Sequence, residues 1–306
     1  MNGRLSRLIF KQQWFLAVRK RNPTAEFSYL DPGNYTVLEC PLGEFRADPF
    51  LLERDGEIWI FFERYRYLEA KGEIACARLG SPAVDTILVR PYHLSYPHIL
   101  EWDGCLWMLP ETVENRTVEL YRCHSFPAEW KLETRLLCDV EASDPTLIRH
   151  DNLFWLFASN SPTGAQRHRL NLWYSSSLCG PWAEHPANPI VQATCGARPG
   201  GAIFSAGEHL IRPAQDCSSG YGSGLQFRRI VALNANGYVD EPVGSLHGSQ
   251  FPGWTGVHTY SRSQNYEAVD GCVRRFDLPG KLQGLTGKSL RAFHRRDRAG
   301  NSARSL

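Results

Sequence analysis

An all-β chain folded as a five-bladed β-propeller, its ring closed by the N-terminal strand, is the fold this sequence predicts. Three observations carry the prediction. Pro49, Pro97 and Pro145 stand 48 residues apart, as do the turn residues Asp55, Asp103 and Asp151 and the tryptophans Trp59, Trp107 and Trp155. Repeats of this length mark supersecondary units such as propeller blades. The unit itself reads as β: an apolar run (Phe50-Leu51-Leu52), a hairpin turn (Arg54-Asp55-Gly56-Glu57) and a second run rich in β-formers at 58–62. Finally, 42% hydrophobic residues with 26 Gly and 19 Pro describe a turn-rich globular chain with a full core. A β-sandwich with accidental spacing would not align three unrelated landmarks.

Each element follows in order. Residues 13–19 form an N-terminal strand, and the turn-rich Arg21-Asn22-Pro23-Thr24 follows it. The first blade covers 45–90, with its third strand at 72–79. Pro49 suits the start of a strand, having no N–H to give to a ladder. The second blade covers 91–137, with 118–123 as third strand and Trp130 near the fourth; the third covers 138–182, with 170–175 as third strand. Asp151-Asn152 replaces Asp-Gly in the third copy and still tolerates left-handed turn geometry. The interval then lengthens: Pro199 follows Pro145 by 54 residues, within Ala197-Arg198-Pro199-Gly200-Gly201. Strands at 209–212, 225–233 and 238–243 complete the fourth blade. Only about two strands fit into 253–276, so the N-terminal strand is expected to complete the fifth. The expected organisation is one propeller domain over 1–279 and a basic, turn-rich tail over 280–306 lying on the surface or disordered.

Composition narrows the function classes. A net charge of +2 gives no reason for a nucleic-acid partner. Nine cysteines, an odd number without close-spaced pairs, argue against a disulfide framework and a zinc site, so a reducing cytoplasm is the expected location. Lys11 interrupts the apolar run Leu8-Ile9-Phe10, and no stretch approaches a signal segment or a membrane span. The basic N-terminus (Arg4, Arg7, Lys11, Arg19, Lys20, Arg21) reads as solvated surface.

Hairpin geometry points to a site. The start of a blade's first strand and the end of its second lie at one edge, which places Asp48, Tyr96 and Asp144 with Glu63, Glu111 and Ser159 around the mouth of the central channel. Gathered carboxylates are costly unless paired, hydrated or needed for chemistry. Arg46, Arg198, Arg212, Gln215, Tyr221 and His258 are expected to line the same region, and arginine forks there suit a phosphate or carboxylate. The structural alternative is that Asp48 and Asp144 cap strand starts through backbone N–H groups, or pair with Arg46 or Arg198. Histidines such as His93 and His258 read as hydrogen-bonded core residues; no metal and no cofactor is expected. Trp59, Trp107 and Trp155 read as core packing, with Trp102, Trp173 and Trp254 as weaker sugar-stacking candidates. Gly220-Tyr221-Gly222-Ser223-Gly224 lacks the strand–helix context of a phosphate loop.

Ala47-Asp48-Pro49-Phe50, His93-Leu94-Ser95-Tyr96-Pro97, Pro110-Glu111-Thr112, Ser143-Asp144-Pro145-Thr146, His185-Pro186-Ala187-Asn188-Pro189, Ala197-Arg198-Pro199-Gly200-Gly201, Ile211-Arg212-Pro213-Ala214-Gln215-Asp216-Cys217 and Gly256-Val257-His258-Thr259-Tyr260 together resemble one family over roughly 10–275. It is the N-terminal propeller domain of the plant glucosamine inositolphosphorylceramide transferases and its bacterial relatives. That group is similar to the five-bladed propeller glycosidases, including glycoside hydrolase family 43, the invertases and the mannoside phosphorylases. In plant members the transferase activity is assigned to a separate C-terminal domain, and some bacterial relatives carry a formyltransferase domain instead; neither is expected within this sequence. The resemblance therefore implies fold and carbohydrate context ahead of a reaction. It implies Asp48 as base or nucleophile and Asp144 as the aspartate that tunes the acid. Glu111 is the choice for general acid, with Glu63 and Glu241 as competitors; one carboxyl must stay protonated while another stays ionised.

The expected function is an enzyme acting on a glycosidic bond, by hydrolysis, phosphorolysis or transfer, in bacterial surface polysaccharide or glycolipid metabolism. The alternative is a non-catalytic module that binds a glycan or sugar nucleotide for a partner glycosyltransferase or formyltransferase. A protein-interaction propeller fits less well, because such a channel has little need of so many charges.

Overall fold

The computed structural model describes residues 10–21, 33–160 and 167–276. The expected tail at 280–306, and most of the turn after the N-terminal strand, lie outside the described residues. Five antiparallel sheets are present, and among the described residues the only helical turns are the short 3-10 segments Val113–Asn115 and Gly248–Gln250.

The sheets are the blades, arranged in chain order around one axis. The first holds Glu44–Arg54, Glu57–Arg66, Lys71–Arg78 and Asp85–Leu88. The second holds Ser95–Trp102, Cys105–Thr112, Thr117–Ser125 and Glu129–Cys138. The third holds Ser143–His150, Leu153–Asn160 and His168–Ser175, on which both Ala183–Glu184 and Val191–Ala193 pair. The fourth is built on Cys195–Pro199, His209–Asp216, Gly224–Asn234 and Gly237–His247. In the fifth the order from the axis outward is Tyr260–Arg262, Tyr266–Phe276, Phe10–Lys20 and Thr36–Val37. Two C-terminal strands and two N-terminal strands thus close the ring, joined over the full length of Phe10–Lys20.

Two-residue hairpins at Asp55-Gly56, Asp103-Gly104 and Asp151-Asn152 connect the first and second strands of the first three blades. Every one of these six residues has positive φ, the geometry whose twist matches the flanking strands and which Asp, Asn and Gly tolerate. Trp107 and Trp155 each donate an indole N–H across the hairpin, to the carbonyls of Trp102 and His150 (3.2 and 3.1 Å).

The second strands read as nearly continuous apolar runs because both of their faces are buried. Phe61 faces the second blade with Phe50, Tyr96 and Met108, whereas Ile60 and Phe62 face the fifth with Leu16 and Ala268. Trp107 and Leu109 pack against Leu147 and Phe154; Trp155 and Phe157 pack against Ala197 and Leu233; Ile211 and Phe227 pack against Tyr260 and Val269. Each blade-to-blade seam therefore has its own core, and burial is spread around the ring.

Candidate functional site

Asp48, Tyr96 and Asp144 share one backbone feature. Each sits in the innermost strand with positive φ (55°, 47° and 53°), where the register against the second strand slips. A β-bulge here turns the side chain toward the axis. Left-handed backbone is tolerable for Asp and costs roughly 1–3 kcal/mol for a residue such as Tyr. It persists because neighbouring blades hold it in place. Asp48 N–H donates to Asp270 Oδ2 (3.1 Å), Tyr96 N–H to Asp48 Oδ2 (3.2 Å) and Asp144 N–H to Glu111 Oε2 (2.9 Å). The carboxylates at the mouth are thus part of the ring's construction.

Asp48 is buried and accepts a second bond from the Thr259 hydroxyl (2.7 Å), with His258 Nε2 at 3.7 Å. Burial pushes its pKa up to about 6, and Asp270 and Asp144 push the same way against His258 and Thr259. Asp144 accepts from the Arg198 Nε and Nη2 groups and from Gln215 Nε2 (3.1 Å). Gln215 also donates to the Pro199 carbonyl (3.0 Å). Glu111 lies beside this ion pair, its Oε2 3.9 Å from Arg198 Nη2. Burial and the neighbouring Asp144 push the Glu111 carboxyl up to about 8, partly opposed by Arg198.

Glu63 belongs to the same group. Burial first, then the charges of Asp48, Glu111, Asp270 and Asp144, hold its carboxyl well above the usual range. His93 Nε2 approaches its Oε1 to 3.3 Å, and Gly72 passes so close that a Cβ there would lie 2.7 Å from that oxygen. Tyr96 contributes to the scaffold: its hydroxyl meets Thr146 Oγ1 and accepts from Gly201 N–H, both at 2.8 Å. Tyr221 covers the mouth, half exposed, with Arg198 5.1 Å from its ring centroid and His258 edge-on at 5.2 Å.

His258 is wedged between three groups. Its ring stacks on Trp14 of the N-terminal strand (4.2 Å), and Nδ1 lies 2.5 Å from Asp270 Oδ2. Burial works against a charged imidazole, yet Asp270 and Asp48 raise its pKa above the ordinary value. Asp270 would be raised by its own burial, but His258 and the N–H groups of His258 and Thr259 (2.8 and 2.9 Å) hold it below the usual range. One ligand atom each from Asp48, His258 and Asp270 falls within 4.8 Å of the others, so these three are the residues that could hold a cation. As they stand, Asp270 is saturated with donors, which is the arrangement of an ion-paired triad.

Three expected site residues lie elsewhere. Arg46 pairs with Glu44, donates to the Glu39 carbonyl (3.1 Å) and lies over Phe62, on a surface cleft. The bulge at Asp48 breaks the alternation that would have put both on one face. Arg212 is fully buried between Asp240, Tyr238 and the Gly196 carbonyl. It stands three positions before Gln215 in a regular strand, hence on the opposite face. Glu241 is on the outermost strand of the fourth blade, half-buried and paired with Arg229, which leaves Glu63 and Glu111 as candidates for an acid. Conversely, Asp270 and His168 are not among the expected residues, and Thr259 enters the expectation only within the Gly256-Val257-His258-Thr259-Tyr260 motif. His168 sits near Arg198, which together with burial lowers its pKa.

A family model described as "Glucosamine inositolphosphorylceramide transferase 1, N-terminal" matches residues 37–258. The chain is 38% identical over 208 residues to glucosamine inositolphosphorylceramide transferase 1 of Oryza sativa subsp. japonica, covering 65% of this chain and 28% of that protein. With the Arabidopsis thaliana protein of the same name it is 33% identical over 229 residues, covering 71% and 30%. The chain thus spans less than a third of the length of these relatives. Among solved structures it is similar to Zg3597, a family 117 glycoside hydrolase produced by Zobellia galactanivorans, with a TM-score of 0.52 at 15% identity, over 87% of this chain and 91% of that one. That likeness is one of fold. Among the described residues no helix is long and apolar enough to cross a membrane.

Proposed function

This chain belongs to the family of glucosamine inositolphosphorylceramide transferase N-terminal domains, and from that premise we propose that its propeller mouth binds a sugar and acts on a glycosidic bond. The observation that carries the reading is the gathering of buried carboxyls at the mouth, Asp48 held by the Tyr96 N–H and the Thr259 hydroxyl and Glu111 by the Asp144 N–H beside Arg198, with burial pushing Asp48 up to about 6 and Glu111 up to about 8. Carboxyls whose surroundings drive them to different pKa values divide into base and acid. In this reading Glu111 protonates the departing glycosidic oxygen, and Asp48 takes the proton from the attacking hydroxyl or itself attacks the anomeric carbon. Asp144, clamped by Arg198 and Gln215, fixes Glu111 through its own backbone N–H. Arg198 spends two donors on Asp144, which favours water or a hydroxyl over phosphate as the attacking group. The proposed setting is surface polysaccharide or glycolipid metabolism in the cytoplasm, alongside a glycosyltransferase or formyltransferase partner.

One observation favours a second reading, a non-catalytic sugar-binding module. Asp48, Glu111 and Asp144 all take part in holding the blades together. The experiment is a screen of the purified protein against nucleotide sugars and aryl glycosides, with Asp48→Asn, Glu111→Gln and Asp144→Asn beside it. Turnover that vanishes in the variants while their circular dichroism is retained supports catalysis. Sugar binding without turnover in the wild type selects the binding module instead.

A further inference from the structure

At the end of the propeller away from the mouth, a cleft between the second and third blades holds two arginines that form no ion pair among the described residues. Arg122 comes from Thr117–Ser125 and Arg149 from Ser143–His150. Both line a cavity of about 390 Å³ walled by Trp102, Trp107 and Phe154. The Arg149 guanidinium lies 4.4 Å over the Trp102 ring and that of Arg122 5.6 Å over Trp107. Their side chains donate to neutral groups, Arg122 Nη2 to Cys105 Sγ (3.0 Å) and Arg149 Nη2 to Asn152 Oδ1 (3.4 Å). Among the described residues neither is within ion-pair distance of a carboxylate, in contrast to Arg198, Arg212 and Arg228. The exposed Ser176, Ser177 and Asp103 also line the cleft, with Leu178 and Cys179 beside them.

Stacking on an indole fixes the plane of a guanidinium and leaves its N–H edge free for an anion, so the forks are set before a ligand arrives. Two like charges facing one cleft are relieved when an anion enters between them, and the aromatic wall offers a face to a ring. The volume is at the lower end of small-molecule pockets, roughly 300–1,000 Å³. We propose that this cleft binds a small anionic sugar, a ring bearing a carboxylate or a phosphate. Cys105 on its wall and Glu111 at the mouth belong to the same strand, Cys105–Thr112, which separates the two places by about 20 Å. The cleft does not depend on the catalytic reading of the mouth.

Isothermal titration calorimetry with glucose 6-phosphate, glucuronate and glucose tests this. Saturable binding of one or both anions, with none of glucose, is expected, and the anion that binds identifies the group recognised. R122Q and R149Q should each weaken binding, and the R122Q/R149Q variant should weaken it at least tenfold with its melting temperature preserved. D48N, altered only at the mouth, should bind as the wild type does. No saturable binding of either anion overturns the proposal, as does anion binding that survives R122Q/R149Q or disappears in D48N.

Discussion

The first three blades and the last two build opposite halves of one site. The first three repeat at a fixed interval, and at the mouth they present acids: Asp48, Glu63, Glu111 and Asp144. The fourth and fifth lose the interval and bring mainly what those acids need, Arg198, Gln215, His258 and Thr259. Asp270 is the acid that the irregular half brings to this group, and it is already saturated with donors. A repeat can multiply a framework, but copying it faithfully would have gathered like charges without counter-charges. Departure from the repeat is where the balance is supplied.

The largest effect expected from disturbing this division is on turnover. Asp48→Asn or Glu111→Gln should lower the rate with an aryl glycoside by about 10²–10⁴-fold, the usual contribution of an acid or base, with near-UV circular dichroism unchanged. Arg198→Gln comes next, because it leaves Asp144 buried without its counter-charge. Urea unfolding should show a loss of about 3–5 kcal/mol, part of it recovered in Asp144→Asn/Arg198→Gln. A loss unchanged in the double variant would mean that Arg198 acts through packing.

The pH dependence sharpens the comparison further. Between its ordinary 4.5 and about 8 the Glu111 carboxyl is protonated in the folded chain and ionised in the unfolded one. The folded chain then binds the extra proton, so stability falls as pH rises through that window. Asp48, between 3.8 and about 6, acts in the same direction. Melting temperature should decline from mildly acidic to mildly alkaline pH, and Glu111→Gln should flatten the upper part of that decline. The smallest effect is local. Asp270→Asn should lower the pKa of the His258 imidazole, since burial then acts with less opposition; ¹⁵N-detected NMR titration reads this directly.

Much of this was legible in the residues. The interval between prolines, turns and tryptophans predicted the blades, and the shortage of strands after residue 253 predicted closure by the N-terminus. Hairpin logic drew attention to Asp48, Tyr96 and Asp144, which the structure places at equivalent bulges. Spacing alone could not show that such a bulge reverses the alternation before it, which is why Arg46 points away. Nor could it show that Arg212 and Gln215 fall on opposite faces until the strand was seen to run without interruption through both. Asp270 and Thr259 were hidden for another reason: the fifth blade has no copy of the repeat against which to align them. For Asp270 the available signal was a Val-Asp-Gly segment opposite the N-terminal strand, and for Thr259 its place in the Gly256-Val257-His258-Thr259-Tyr260 motif.

The protonation state of Glu111 at neutral pH tests the division of charge most directly. A ¹³C titration of the side-chain carboxyls, assigned by comparison with Glu111→Gln, should show that glutamate with its midpoint at about 8. A Glu111 midpoint at the ordinary 4.5 would mean that the mouth is wet and its charges independent, contradicting a hollow in which one half of the ring supplies acids and the other balances them.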